Sequence, residues 1–378
     1  MQTTLTDQQQ SAQARFKAFV RTEILPHADR IDQEEYTPRE LISKMAQQGF
    51  FGTFLAEEWG GTAMDMITSG ILHEEVGYGC SSLRSLLTVH SMVSYAIQKW
   101  GKAHLKARWL PLLASGARLG AFALSEPHAG SDAKSIETTA TLQGGSYRLQ
   151  GQKKWITYGQ IADVFLLFAQ VEGKVSAFLV ERDTPGLSII PIRGMLGTRG
   201  SMLAELHLQN CRIPAENLIG GTGFGLASVA TSALDIGRYS VACGSVGIAQ
   251  AALDASLRFV HTRKQYGAFL KEHQLIREMI TNMQTNVSAA RLLCRHAGYL
   301  KDIGDPTTLM ETFIAKYFAS TAAVKAANDA VQIHGALGCS NEYPVQRYLR
   351  DAKIMEIIEG SNQIQQIHIA QYSYQQHR

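Results

Sequence analysis

The sequence lacks the marks of a metal-binding, disulfide-bonded or membrane-spanning protein. Its five cysteines stand far apart in 378 residues, with no C-x-x-C pair and no histidine at metal-ligand spacing. No apolar run reaches the length of about 18 residues that a membrane span needs. The polar N-terminal segment also lacks the basic and apolar regions of a signal peptide. We therefore expect reduced thiols, no metal, no membrane partner and a cytoplasmic location.

A strong charge of one sign is missing as well. Lys plus Arg number 36 against 33 Asp plus Glu, which gives a formal net charge of +3. This balance is too small and too dispersed to predict binding to nucleic acid or to an anionic membrane. What the chain does have is length, because 378 residues at 45% hydrophobic content can bury a core shared by two or three domains.

The hydrophobic pattern divides the chain into three parts. Residues 1–118 carry helical spacing and are predicted to form an N-terminal α-helical domain. Residues 119–225 contain short apolar runs with turn signals and are predicted to form a middle β-domain. Residues 226–378 return to apolar residues every three or four positions, which predicts long helices packed as a four-helix bundle.

Local signals sharpen three positions in this outline. The apolar runs 164–169 and 175–180 flank the turn sequence at 172–174, which predicts a β-hairpin. Thr37 before Pro38 predicts an N-cap at the start of a helix. Gly304-Asp305-Pro306 predicts a loop between two long helices.

Four segments together resemble the acyl-CoA dehydrogenase flavoprotein family, over nearly the whole chain. They are Phe122 to Asp132 (FALSEPHAGSD), Trp155-Ile156-Thr157, Arg263 to Gly267 (RKQYG), and Arg350 to Lys353 followed by Ile358 to Ser361. Each is short, but all four occur in family order on the helix, β, helix outline. The resemblance implies one FAD per subunit and the family fold: an N-terminal helical domain, a middle β-barrel and a C-terminal four-helix bundle.

The resemblance also implies which residues contact the flavin. They are Phe122, Leu124, Ser125, Gly130, Ser131, Trp155, Thr157 and Ser361. Backbone N–H groups and the serine hydroxyls of the first segment could bond the flavin ring and pyrophosphate. Trp155 offers a flat face for the ring system, and the Thr157 hydroxyl matches the group beside flavin N5. The plainer alternatives are an ordinary turn and a core tryptophan.

A second set of residues is implied to contact the flavin of a neighbouring subunit. Arg263 is a candidate pyrophosphate clamp, since a guanidinium meets phosphate oxygens bidentately. Gln274, Gln332 and Gly335 match other positions of this kind. These residues imply a homodimer or homotetramer. The alternatives are an exposed helix charge or a packing glycine.

Glu359 is the candidate catalytic residue. It follows the apolar run from Ile354 to Ile358, and a carboxylate on an apolar wall should have a raised pKa, as a base near neutrality needs. The family places its base here, which takes the α-proton while hydride leaves the β-carbon for flavin N5. A surface glutamate that caps the following helix is the alternative.

Two further groups are implied to face the substrate. Asp235 and Arg238 match the family's L-D-x-x-R segment, which lines the thioester channel, and Ser131 and Gly360 are predicted contacts as well. An i, i+3 ion pair between Asp235 and Arg238 on a helix surface is the alternative.

Arg84, in the run CSSLRS, bears on the acyl group. An arginine here resembles two kinds of family member: glutaryl-CoA dehydrogenase, and the acyl-ACP dehydrogenases that make hydroxymalonyl and methoxymalonyl extender units. A buried guanidinium is costly unless an anion or carbonyl pairs with it, so Arg84 argues against a purely hydrocarbon tail. The alternatives are an Arg84 turned to solvent or paired with Glu74 or Glu75.

The sequence thus predicts a FAD-dependent dehydrogenase of an acyl-CoA or an acyl carrier protein thioester. The favoured substrate is a short oxygenated acyl group in polyketide extender unit biosynthesis. The electron acceptor is expected to be another flavoprotein or oxygen. Three alternatives stay open: a short-chain or glutaryl-type catabolic dehydrogenase, a flavin oxidase or monooxygenase of the same fold, and a flavin-binding protein without activity.

Overall fold

Helices make up the N-terminal part of the computed structural model, which describes residues 4–376. The six helices are α1 (Asp7–Phe19), α2 (Ala28–Glu34), α3 (Arg39–Gln47), α4 (Met66–Gly79), α5 (Ser81–Trp100) and α6 (Ala103–Ala114). Helix α5 is buried along nearly its whole length, including its polar residues, so its side chains form interior contacts.

A twisted sheet of eight strands forms the middle part. The strands are β1 (Gly120–Ala123), β2 (Thr139–Gln143), β3 (Ser146–Ile156), β4 (Val164–Val171), β5 (Lys174–Glu181), β6 (Leu187–Pro191), β7 (Ala204–Pro214) and β8 (Leu218–Ile219). Their order is β6-β7-β3-β2-β4-β5-β8, and β1 pairs in parallel with β4. Buried side chains on both faces of β4 and β5 join the sheet to the helices on one side and to its own inner core on the other.

Two local predictions have different outcomes here. The predicted hairpin is confirmed: β4 and β5 pair antiparallel, and Glu172 and Gly173 turn the chain with positive φ angles of 49° and 75°. The predicted N-cap at Thr37 is wrong. Helix α3 has Pro38 at its N-cap position, and the Thr37 hydroxyl instead bonds the carbonyl of Gly200 at 2.8 Å. The same hydroxyl also lies 2.9 Å from the Tyr158 hydroxyl, so its contacts tie the N-terminal helices to the middle part of the chain.

Five helices complete the chain, with a short hairpin after the first. They are α7 (Thr231–Thr262), the strands β9 (Lys264–Gln265) and β10 (Ala268–Phe269), then α8 (Gln274–Asp302), α9 (Thr308–His334), α10 (Val345–Met355) and α11 (Asn362–Gln376). The predicted fold class, helical with a β-domain between helical parts, is confirmed. The boundaries proposed at 118/119 and 225/226 stay predictions.

Helix α7 is the central element, since it packs against α4, α5, α8 and α9. Residues Gly225–Thr262 are long and apolar enough to cross a membrane by length and composition, but 83% of the most apolar window is buried inside the protein. Glycines allow its close crossing with α4. A Cβ placed on Gly247 would lie 2.1 Å from the carbonyl oxygen of Glu74 and 2.6 Å from the amide nitrogen of Tyr78.

Replacing Gly247 with alanine should therefore push α4 and α7 apart. Overpacking of this kind typically lowers the free energy of unfolding by about 1–3 kcal/mol. Gly221→Ala is a suitable control, because its Cβ would meet only the Phe224 ring at 3.4 Å. Denaturant unfolding of both variants measures the difference. Equal stability of the two variants would contradict the tight crossing.

Candidate active site

Glu359 lies in a left-handed turn between α10 and α11. Glu359 and Gly360 have φ angles of 55° and 87°, and a left-handed conformation is unfavourable for a residue with a side chain. Three buried side chains hold this turn. Arg238 Nε donates to the Glu359 carbonyl at 3.2 Å, and Gln365 Nε2 and Lys316 Nζ each donate to the Gly360 carbonyl at 2.9 Å. The backbone strain is thus offset by hydrogen bonds to otherwise unsatisfied carbonyls.

The Glu359 carboxylate lies against α7 and near Met92 of α5. A Cβ placed on Gly237 would lie 2.8 Å from Glu359 Oε2 and 2.8 Å from Met92 Sδ. The alternative of a helix cap is wrong, because Ser361 Oγ accepts from the Ile364 amide at 3.4 Å in the first turn of α11. Glycine at position 237 is what allows the carboxylate to pack this close to α7.

The electrostatic environment of Glu359 combines burial with positive charge. Burial raises its pKa above the usual range, and Arg238, Arg84 and Lys316 act in the opposite direction. The net direction is the one that the apolar run Ile354–Ile358 predicted. A carboxyl with a raised pKa is matched to proton abstraction near neutral pH.

Arg84 is completely buried at the contact between α5 and α7. Its Nη1 donates to Thr88 Oγ1 at 2.8 Å, and its Nη2 donates to Ser85 Oγ at 3.0 Å and to Met355 Sδ at 3.3 Å. Its Nε has no partner within residues 4–376. Burial lowers the pKa of Arg84 to about 10, and the charge of Glu359 acts against that fall. The group therefore stays charged, with uncharged neighbours in direct contact.

Both alternatives considered for Arg84 are wrong. The side chain has 0% exposure, so it does not face solvent. Its hydrogen bonds go to hydroxyls and a sulfur, and Glu74 is instead paired with Arg291 at 2.8 Å. The Nε–H group of Arg84 can therefore still donate to an anion or a carbonyl.

Contacts between α5 and α7 recur at successive turns leading away from Glu359. In order, they join Met92 to Gly237, Thr88 to Ser240, and Arg84 to Gly244. With a rise of 1.5 Å per residue, Arg84 stands about 12 Å along α5 from Met92. Small residues and hydroxyls therefore separate the carboxylate from a fixed positive charge.

His73, on α4, is the third member of a row of hydrogen-bonded side chains with Ser240 and Thr88. Its Nδ1 lies 3.0 Å from Ser240 Oγ, which in turn lies 2.6 Å from Thr88 Oγ1. Burial, with the charge of Arg84, lowers the pKa of His73 to about 3, so the ring is neutral. Sequence reasoning did not find this residue, because a lone histidine on a helix carries no pattern.

The FALSEPHAGSD segment is anchored by a buried ion pair. Lys153 Nζ lies 2.6 Å from Glu126 Oε1 and donates to the Leu124 carbonyl at 3.1 Å. Glu126 also accepts from the amides of Glu137 and Thr138 at 2.6 and 3.1 Å. Burial lowers the pKa of Lys153 to about 8, and Glu126 acts against that fall. Neither partner was singled out from the sequence.

Trp155 exposes about half of its surface to solvent. Its side chain is 47% exposed, its φ is 64°, and the Lys154 ammonium lies 4.9 Å from the ring centroid. The core-tryptophan alternative is therefore wrong. The Ser125 carbonyl accepts from the Lys154 amide at 2.9 Å, which brings the two predicted flavin segments side by side.

The other predicted flavin contacts divide into two groups. Thr157 is partly exposed, and Gly130 and Ser131 are exposed, so these positions are accessible to a ligand. The side chains of Phe122 and Leu124 lie in the core beneath, where the Phe122 ring packs on Phe168 at 5.1 Å. Leu124 is buried, so a ligand could meet only its main chain, whereas Phe122 is partly exposed.

The predicted cross-subunit residues are all exposed on a single chain. Arg263 precedes the β9–β10 hairpin, Gln274 begins α8, and Gln332 and Gly335 end α9. No hydrogen bond within the described chain joins them to Trp155 or Glu359. One chain alone therefore leaves them available to a neighbour.

Asp235 and Arg238 do not form the surface pair considered above. Asp235 pairs with Lys301 on α8, whereas the Arg238 guanidinium lies 4.6 Å from the Phe313 ring centroid. Arg238 thus belongs with Glu359, and Asp235 faces a different neighbour. In the described part of the chain, no three His, Cys, Asp or Glu side chains could hold a metal ion.

Comparison with known proteins places the chain in a family. Residues 6–117, 121–211 and 221–373 match the N-terminal, middle and C-terminal domain models of acyl-CoA dehydrogenase. Acryloyl-CoA reductase (NADH) of Anaerotignum propionicum is 40% identical over 377 residues, covering 98% of this chain and 95% of its own. The chain belongs to the acyl-CoA dehydrogenase family.

Two solved structures extend the comparison. Glutaryl-coenzyme A dehydrogenase in complex with glutaryl-CoA has a TM-score of 0.94 at 37% identity, covering 98% of this chain and 96% of that one. FkbI, for biosynthesis of the methoxymalonyl extender unit of a polyketide, has a TM-score of 0.87 at 32% identity, covering 96% and 99%. The protein is an FAD-dependent oxidoreductase that dehydrogenates acyl thioesters.

The Lys153–Glu126 pair gives a prediction about the flavin segment. Lys153→Met leaves the Glu126 carboxylate buried without its cation, which typically costs about 3–5 kcal/mol. The variant should unfold at lower temperature and lose FAD during gel filtration. Lys174→Met, at an exposed position, is the control. A Lys153→Met protein with unchanged stability and FAD content would show that the pair does not support the segment.

Proposed function

We propose that Glu359 is the base that removes the α-proton of a short acyl thioester. The observation that carries this proposal is the placement of its carboxylate between Gly237 and Met92, in a turn held by buried donors. Burial raises its pKa, which suits a proton acceptor near neutrality. When bound, FAD accepts the hydride that leaves the β-carbon.

The chain's own residues have separate tasks in this proposal. Arg238 and Lys316 hold the main chain around Glu359, so that the carboxylate keeps one direction. Trp155 and Thr157 would contact the flavin ring, and the loop with Ser131 would contact the pyrophosphate. Ser361 would contact the flavin, and Gly360 would contact the substrate.

Glu359→Gln keeps the size of the side chain and removes the proton acceptor. Anaerobic flavin reduction by substrate should slow by roughly 10²-fold or more, the scale of general base catalysis. FAD content should stay unchanged. Glu342→Gln, on an exposed loop, controls for the substitution. Near-normal reduction in Glu359→Gln would assign the base to another residue.

We further propose that the acyl group is short and carries oxygen at its far end. Arg84 supports this, since it stays charged, is fully buried and, among residues 4–376, has only hydroxyl and sulfur partners. A substrate carboxylate or carbonyl would supply the missing acceptor. Thr88 Oγ1 and Ser240 Oγ lie 2.6 Å apart between Glu359 and Arg84, so the contact there is polar.

The carrier and the pathway form the finer part of the proposal. The segments CSSLRS and IIEGS, together with the likeness to FkbI, favour an acyl-ACP of polyketide extender unit biosynthesis. The likeness to glutaryl-CoA dehydrogenase supports a second candidate, a dicarboxylic acyl-CoA. Both place oxygen opposite Arg84.

Arg84→Met separates oxygenated from plain substrates. Turnover of glutaryl-CoA or a hydroxyacyl-ACP should lose about 2–5 kcal/mol of transition-state binding, the range for truncating one partner of a buried charge pair. Butyryl-CoA turnover should change far less. The ratio of kcat/KM for the two substrates measures this, because a folding defect would lower both equally. Equal losses, or none, would indicate an ordinary short-chain enzyme.

The assembly completes the proposal. A homodimer or homotetramer would bring Arg263, Gln274 and Gln332 to the flavin of a neighbour. The exposure of these residues on one chain supports this proposal. We place the protein in the cytoplasm, with an electron-accepting flavoprotein as its partner. Oxygen is the alternative acceptor, and oxygen consumption during turnover would reveal it.

A further inference from the structure

Lys316 is a fully buried lysine beneath the turn that carries Glu359. It lies on α9, where its neighbours Ala315 and Ala319 are also buried. Its Nζ donates to the Gly360 carbonyl at 2.9 Å, to Asn362 Oδ1 at 2.9 Å and to the Glu356 carbonyl at 3.4 Å. The lysine therefore binds the chain on both sides of Glu359.

The three contacts match a charged lysine. An ammonium has three N–H donors, and three oxygen acceptors surround this one, whereas a neutral amine would have only two donors. Ser320 Oγ donates to Asn362 Oδ1 at 3.0 Å and fixes that acceptor in place. Burial lowers the pKa of Lys316 to about 7, and the charges of Glu359 and Glu356 act against that fall.

The elements packed around Lys316 bring four further titratable groups. Arg238 comes from α7, and Glu356 and Glu359 come from the link between α10 and α11. His368 comes from α11, where its ring stacks on Phe313 at 4.9 Å, and burial with the charge of Arg238 lowers its pKa. Glu356 already has a partner, since Lys353 Nζ lies 2.7 Å from it.

We propose that Lys316 is a positioning residue for Glu359, which clamps the left-handed turn and keeps the carboxylate ionised at working pH. This inference rests on the proposed role of Glu359 as the base. Lys316 donates to two main-chain carbonyls and to the Asn362 side chain, and not to the Glu359 carboxylate, so it acts through the turn and through its charge. Nearby positive charge stabilises a carboxylate and lowers its pKa.

The test is the pH profile of anaerobic flavin reduction in Lys316→Met. A base works when deprotonated, so the rate rises as pH passes the pKa of Glu359. This rise is the acid limb of the profile. Removing a nearby positive charge raises the pKa of Glu359, so the acid limb should move to higher pH by about one unit. Below the limb, the rate should then fall about 10-fold relative to wild type. Hydrogen exchange of the 356–362 amides should also become faster.

Two control variants separate charge from packing. Ser320→Ala loosens Asn362 without changing any charge, so it should leave the acid limb in place. Lys325→Met makes the same substitution at an exposed position of α9 and should change neither the limb nor the exchange. A limb that moves as far in Ser320→Ala as in Lys316→Met would overturn the proposal.

A second variant covers the case in which Lys316→Met fails to fold. Asn362→Asp keeps the shape and places a carboxylate against the ammonium, so the limb should again move to higher pH. An unchanged limb in either folded variant would overturn the role of Lys316. Glu359→Gln distinguishes this from failure of the base: if that variant reduces flavin normally, the base assignment is wrong, and otherwise only the Lys316 inference fails.

Discussion

A partly buried carboxylate among positive charges is the constraint on which the rest of the site depends. Glu359 must be buried enough for its pKa to rise, yet it must ionise in order to accept a proton. Arg238, Arg84 and Lys316 meet the second demand without a direct ion pair, which would lower the pKa too far. The left-handed turn and the glycine at position 237 then follow, because they let the carboxylate lie against α7 and near Met92 of α5.

The contact between α5 and α7 links this carboxylate to substrate choice. The two helices approach closely at Gly237 and Gly244, and their hydroxyls bond each other between those points. A charged group at the far end, with only uncharged side chains in contact, favours an acyl group that brings its own oxygen. The proposed base and the proposed substrate-selecting arginine therefore both lie at the contact between α5 and α7.

Parts of this arrangement are readable from local sequence. The β4–β5 hairpin follows from two apolar runs and a Glu-Gly turn. The apolar run before Glu359 predicted the direction of its pKa, but Ile357 in that run is exposed, and the carboxylate lies near Gly237 and Met92 instead. The residues that hold the Glu359 turn and the flavin segment could not be predicted from local sequence, because each pairs with a residue far away in the chain. Lys316 and Gly360 are 44 residues apart, and Lys153 and Glu126 are 27 apart. Thr37 shows the same limit: its local pattern predicted an N-cap, but its hydroxyl donates to the carbonyl of Gly200, 163 residues away.

The most direct measurement of the central claim is an anaerobic substrate titration of the wild-type protein, followed by loss of the oxidised flavin absorbance. We predict rapid bleaching by glutaryl-CoA or by a hydroxyacyl-ACP, and slower bleaching by butyryl-CoA. Bleaching by butyryl-CoA alone would contradict the role of Arg84 as a partner for distal oxygen. No bleaching by any acyl thioester would contradict the role of Glu359 as the base.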